Sequence, residues 1–138
     1  ARLIEDGYTV LVETNGSMPI DVLPPDAIRI MDIKCPGSGM AECNDWSNIE
    51  RLTERDEVKF VVSDYADYAW SRDVIGKYGL AARCRQVLIS PIAARHNSGG
   101  SSPTLAREVA EWIVRDGLQA RFQLQLHKQI WSPDQRGV

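Results

Sequence analysis

What most constrains this chain is a rhythm. From Tyr8 onward, short runs of β-branched and apolar residues alternate with stretches whose apolar residues recur at helical spacing. The strand-like runs are Tyr8–Glu13, Ile28–Ile33, Glu57–Val62, Gln86–Ile89 and Arg121–His127. Between them, Asn44 reads as the N-cap of a short helix carrying Trp46, Ile49 and Leu52 on one side. A second helix over Tyr65–Tyr78 sets Trp70, Val74, Ile75 and Tyr78 in one stripe and closes at Gly79. A third begins with Ser102 as cap and Pro103 in the first turn, carries Leu105, Val109, Trp112 and Ile113, and stops at Asp116-Gly117. Strands alternating with helices predict an α/β fold of parallel units with right-handed crossovers.

Size and charge narrow the function. With 138 residues, 43% hydrophobic and 25% charged, the chain suits one domain with a real core. A net charge of −3 excludes a strongly cationic protein held to nucleic acid by phosphate contacts. No run of about 18 apolar residues predicts a membrane span, and no basic-then-apolar leader opens the chain. Cys35, Cys43 and Cys84 are odd in number and too widely spaced for a disulfide framework or a C-x2-C metal pair. Reduced thiols and a cytoplasmic location are the expectation. The start, Ala1 to Gly7, reads as a helix tail without N-cap or start methionine, as in the back half of a larger domain.

Ligands of parallel β/α folds sit at the carboxyl ends of the strands. Polar residues cluster there: Glu13-Thr14-Asn15-Gly16, Asp32-Ile33-Lys34, Ser63-Asp64, Ser90-Pro91 and Gln125-Leu126-His127-Lys128. Alternation puts Glu13 with Asn15 on one face, and Asp32 with Lys34. In the last run Arg121, Gln123, Gln125 and His127 share a face, opposite Phe122, Leu124 and Leu126. Such a row is either a ligand-facing wall or the wet face of an edge strand. Glu57 and Lys59 also share a face, open to a mutual ion pair or to function. His96 falls in a Gly/Ser-rich loop, and Gly99-Gly100 lacks the Lys-Ser/Thr of a phosphate loop, so a lid or plain linker is expected.

Glu13-Thr14-Asn15-Gly16, Asp32-Ile33-Lys34-Cys35-Pro36, Asp56 to Val61, Leu88-Ile89-Ser90-Pro91, and Gln125-Leu126-His127-Lys128 with Trp131 together resemble the radical S-adenosylmethionine enzymes. Their order and ending are similar to the 7-carboxy-7-deazaguanine synthase family, from about Gly7 to Trp131. Glu-Thr-Asn-Gly is shared among several radical enzymes; Gln-x-His-Lys is the more specific element. The resemblance implies an α/β fold, the C-terminal part of a partial (β/α) barrel with about five mainly parallel strands and helices on one face. Residues 1–138 would then be the carboxyl-terminal half, without the three-cysteine motif, the Gly-Gly-Glu segment and the Mg²⁺ ligand.

The full-length enzyme is expected to use S-adenosyl-L-methionine, a 4Fe–4S cluster and Mg²⁺ to contract the ring of 6-carboxy-5,6,7,8-tetrahydropterin in queuosine biosynthesis. Glu13, Thr14, Asn15, Asp32, Lys34 and Ser90 are the implied cofactor-binding residues, and Glu13, Gln125 and His127 the substrate-binding ones. No metal ligand and no catalytic residue are expected within this chain, which alone should be inactive. Its partners would be the pterin, the missing amino-terminal half or a homodimer mate, with neither nucleic acid nor membrane. Asp32-Ile33-Lys34 stands where the family has Ser-Pro-Lys and is nearer the Asp-Leu-Lys of glycyl-radical activating enzymes, so Asp32 is open to holding a cation near the cofactor. The alternatives are such an activase and a non-catalytic flavodoxin-like module.

Overall fold

The computed structural model describes residues 1–92 and 103–131. His96, Gly99-Gly100 and the Ser102 cap lie outside these residues. Five strands form one parallel sheet in the order β1 (Leu11–Thr14), β2 (Ile28–Ile33), β3 (Glu57–Val62), β4 (Gln86–Pro91) and β5 (Arg121–Phe122). The described helices are α1 (Arg2–Glu5), α2 (Asn48–Arg51), α3 (Tyr65–Tyr78), α4 (Leu80–Arg83), α5 (Pro103–Arg115) and α6 (His127–Ile130).

Alternation decides what each face of the sheet meets. Met31 and Ile33 of β2, Val58, Phe60 and Val62 of β3, and Val87 and Ile89 of β4 lie on one face. They form a single cluster with Tyr68, Val74 and Ile75 of α3, Leu80 of α4, and Val109 and Ile113 of α5. Each such side chain stabilises the fold by about 1.5–3 kcal/mol through burial. The opposite face carries Glu13, Ile30, Asp32, Glu57, Lys59, Val61, Leu88, Ser90 and Arg121, none of which joins that cluster.

The linear strand order has a topological consequence. When every parallel crossover is right-handed and every step goes to the next strand on the same side, all helices fall on one face. That is the winding of a barrel. A flavodoxin-like sheet reverses direction part-way, and the described sheet has no such reversal.

Local signals set the element ends. Asp64 accepts the Asp67 N–H at 2.9 Å and caps α3, while Gly79, at φ +61°, ends it. The last strand differs from the expectation over Arg121–His127. Only Arg121 and Phe122 pair with β4, and His127 opens α6. Continuing the register would set Leu124 opposite Pro91, which has no N–H to give a ladder. The chain therefore leaves the sheet after Gln123, whose N–H bonds Ile89 O at 3.0 Å. The shared face of Arg121, Gln123, Gln125 and His127 is thus not formed: Gln125 lies in the segment before α6, His127 is the first residue of α6, and Arg121, Gln123 and His127 are exposed. Asn44 is likewise not a helix cap, since α2 starts only at Asn48.

Candidate functional site

Because all strands are parallel, the segments after β1 to β5 emerge at the same end of the sheet. Glu13 and Asp32 lie on the open face near that end, and Lys34 follows β2 there. The Lys34 ammonium reaches Asp32 Oδ2 at 2.7 Å; these side chains are 32% and 24% exposed. A pair so exposed contributes at most about 1 kcal/mol. Asp32 Oδ1 is buried and accepts no hydrogen bond among the described residues. An unmet acceptor at a strand mouth is a poor stability device and a ready ligand contact.

The loops around this pair are held by the side chains of Asn44, Asn48 in α2 and Asp67 in α3. Asn44 accepts the Lys34 N–H and donates to Lys34 O, both at 2.9 Å, so one amide imitates a neighbouring strand. Asn48, fully buried, accepts the Ile20 N–H and donates to Gly16 O and Met18 O, fixing the loop after β1. Gly16 sits at φ +63°, where a Cβ would come 2.9 Å from the Met31 side chain. Asp67, only 2% exposed, accepts from Gly37 N, Ser63 N and the Ser63 hydroxyl. It thereby joins the loop after β2 to the loop after β3. The sequence pattern reads Asn44 only as a helix cap, and Asn48 and Asp67 stand within α2 and α3, where no local pattern marks them.

The other expected site residues divide. Asn15 flanks the mouth, although its Oδ1 also serves the Ser17 N–H and hydroxyl. Thr14 is in register with Met31, so it points toward the helix-covered face, and its hydroxyl accepts the Gly16 N–H. Ser90 is wholly buried, and its hydroxyl donates to Gln123 O at 2.8 Å, tying β4 to the exit of β5. Gln125 and His127 follow β5 at the same end of the sheet, Gln125 in the connecting segment and His127 as the first residue of α6. Glu57 and Lys59 make no ion pair with each other or with other described residues within 4 Å; they lie side by side on the open face.

The cysteines are chemically quiet where buried. Burial pushes the Cys35 thiol up to about 12, against a smaller opposing pull from its Ser71 hydrogen bond. The Ser71 hydroxyl also donates to Asp67 O, and either group can be the donor in its contact with Cys35. Burial likewise lifts Cys84 to about 11, and its S–H bonds Leu80 O. Metal ligation needs thiolates. Among the described residues no cluster of three or more His, Cys, Asp or Glu is placed to hold a metal ion. Nor is any described helix long and apolar enough to cross a membrane.

A singly wound parallel sheet, covered by helices on one face and lined with acids, amides and cations at its carboxyl end, is the α/β arrangement of a partial β/α barrel. Comparison with known proteins makes this specific. The 7-carboxy-7-deazaguanine synthase of Koribacter versatilis (strain Ellin345) is 39% identical over 142 residues, covering 99% of this chain and 62% of that protein. The enzyme of that name from Chlorobaculum tepidum is 42% identical over 132 residues, 94% of this chain and 56% of its own length. A third, from Methanospirillum hungatei JF-1, is 38% identical over 135 residues, 96% of this chain and 50% of its own length. No protein-family model matches the chain. The chain belongs to the 7-carboxy-7-deazaguanine synthase family, and it spans between half and about three-fifths of the length of these relatives.

Proposed function

We propose that these 138 residues are the carboxyl-terminal portion of a 7-carboxy-7-deazaguanine synthase, a cytoplasmic radical S-adenosylmethionine lyase acting as a homodimer. It contracts the ring of 6-carboxy-5,6,7,8-tetrahydropterin to give 7-carboxy-7-deazaguanine in queuosine biosynthesis. The relatives' shared name supports the reading, and one observation carries it. Glu13, Asp32 and Lys34 gather at the strand mouth, on the sheet face outside the helix-packed core.

S-adenosylmethionine, together with a reduced 4Fe–4S cluster, supplies a hydrogen-abstracting radical when bound. The residues here fit the first of these and not the second. Asp32 Oδ1 lacks a donor among the described residues, and a ribose hydroxyl or an ammonium provides one. Lys34 and Asn15 add a cation and an amide beside it, and Thr14 shapes the loop that presents them. Ser90 serves from behind, by holding Gln123. Glu13 accepts paired N–H groups of the pterin, with Gln125 and His127 at the rim. The buried, protonated thiols of Cys35 and Cys84 do not suit a cluster.

The test joins this chain to the part of the Koribacter synthase that it does not match and reconstitutes the product without oxygen. Mass spectrometry is expected to detect 7-carboxy-7-deazaguanine, with turnover falling at least tenfold in Glu13→Gln. Cleavage of S-adenosylmethionine with no deazaguanine product would sink the assignment. The chain alone is expected to take up no iron and to cleave no S-adenosylmethionine.

A further inference from the structure

Lys34 is the first residue past the ladder of β2. The pairing with β1 stops at Thr14 and Met31, and that with β3 at Ile33 and Phe60. Asn44 takes over from the strands: its Oδ1 accepts the Lys34 N–H and its Nδ2 donates to the Lys34 carbonyl, each at 2.9 Å. The next residue ties the same segment to the other mouth loop, since the Asp45 N–H bonds Gly16 O at 3.1 Å. Asn15, Asp32 and Asn44 line one small pocket between these loops. In front of this brace the Lys34 ammonium reaches Asp32 Oδ2, and Asp32 Oδ1 has no donor among the described residues.

We infer that Asn44 is a positioning residue of the cofactor site, which sets the direction of the Lys34 side chain without touching the cofactor itself. The N–H of a residue precedes its φ rotation and the carbonyl follows its ψ rotation. One planar amide that grips both groups therefore fixes both rotations, the only soft ones the backbone has there. Side chains of extended chain alternate between faces, so a turn of the backbone at Lys34 carries its ammonium off the face of Asp32. A lysine stem is flexible and does not restore that direction by itself. Asn44 thereby keeps the cation beside an acid whose second oxygen is open, and a binding group held this closely needs such support from behind. This deepens the cofactor reading of Asp32 and Lys34 and rests on it.

A double-variant cycle tests the assignment, read by calorimetric titration of S-adenosylhomocysteine into the reconstituted fusion with the Koribacter part. Asn44→Ala and Lys34→Met are each expected to weaken binding about tenfold, and the double variant also about tenfold, whereas independent effects would multiply to about a hundredfold. Tyr68→Phe removes hydrogen bonds between α3 and α5, so it should lower the urea midpoint and leave binding unchanged. In the chain alone, nuclear magnetic resonance relaxation should show a more mobile Lys34 amide in Asn44→Ala, with the Met31 amide as in wild type. Multiplying effects, unchanged binding in Asn44→Ala or an unchanged Lys34 amide would overturn the assignment. So would weakened binding in Tyr68→Phe, since lost stability alone would then account for the effect. If the wild-type fusion, with its cluster in place, binds no S-adenosylhomocysteine, the cofactor reading itself fails and the assignment falls with it.

Discussion

Asn44 binds both main-chain groups of Lys34, accepting its N–H and donating to its carbonyl at 2.9 Å each. The bridge holds the backbone just past β2, where Lys34 turns back to Asp32. Asn44→Ala removes two part-buried hydrogen bonds and leaves a donor and an acceptor without partners. A loss of about 1–3 kcal/mol is expected. Asn44→Asp retains the acceptor alone and should fall between wild type and alanine. Urea unfolding followed by tryptophan fluorescence measures both, and equal losses would refute the two-bond account.

Gly37 and Asp67 make a second clasp. A Cβ at Gly37 would stand 2.5 Å from Asp67 Oδ2 and 2.6 Å from the Ser63 hydroxyl. Gly37→Ala must displace a buried carboxylate that already serves three donors. It is expected to cost about 1–3 kcal/mol, as overpacking does. Asp67→Ala should cost at least as much, because three donors lose their acceptor. Denaturation midpoints of the two variants and of the double variant check this. Additive losses would show that the contact is not shared.

The parts of the fold that repeated a local pattern were legible. β2, β3 and α3 fall where alternation or helical spacing put them, and the single covered face follows from the order of elements. Two things were not visible. The end of β5 depends on Pro91 in a neighbouring strand, a non-local fact, so the polar alternation from Gln123 to His127 imitated a strand that has no partner. Asn44 satisfied a local capping pattern while its side chain went to Lys34, ten residues back, which no window of sequence reveals. Carboxyl-end clustering put Glu13, Asp32 and Lys34 at one end of the sheet, and the parallel register does the same. The clustering could not tell that Thr14 faces the helices or that Ser90 is spent on Gln123.

Acid and alkali should both loosen the contact between α3 and α5. The guanidinium of Arg115 beside Asp116, helped by Tyr68 and Arg72, holds that carboxyl down to about 2 from an ordinary 3.8. The folded state keeps it charged where the unfolded chain would protonate it. Its contribution is therefore complete above 3.8 and is lost as pH falls through about 2. Tyr68 runs the other way. Burial, then Asp116, raises its hydroxyl from 10.0 to about 12, so its contribution is complete below 10.0 and is lost as pH rises through about 12. Urea midpoints should fall between pH 4 and 2 in wild type, and more shallowly in Asp116→Asn. An unchanged slope in that variant would assign the acid sensitivity elsewhere.

The thiols should sort by exposure. Cys43 is exposed, whereas Cys35 and Cys84 are buried and shifted well above neutrality. Attack on a disulfide reagent needs an accessible thiolate. Native protein treated with Ellman's reagent at pH 8 should release about one equivalent quickly, and the remainder only on unfolding. Cys43→Ser should abolish the fast phase. A fast phase that survives would mean that Cys35 or Cys84 opens to solvent on the reaction time scale.

Asp32 offers a separation of stability from binding. Its Oδ1 is a buried acceptor with no donor among the described residues, and its Oδ2 meets Lys34 in a partly solvated pair. Neutralising Asp32 costs the fold little, because its partly exposed pair with Lys34 is weak and the orphaned oxygen is a penalty. Asp32→Asn is therefore expected to leave stability within about 0.5 kcal/mol of wild type. If Asp32 holds the cofactor, the same change should weaken S-adenosylhomocysteine binding by about tenfold, the worth of one charge-assisted hydrogen bond. Paired calorimetric titration and urea unfolding of the one variant decide the point. A large loss of stability with unchanged binding would make Asp32 a structural residue whose second oxygen merely lacks a neighbour.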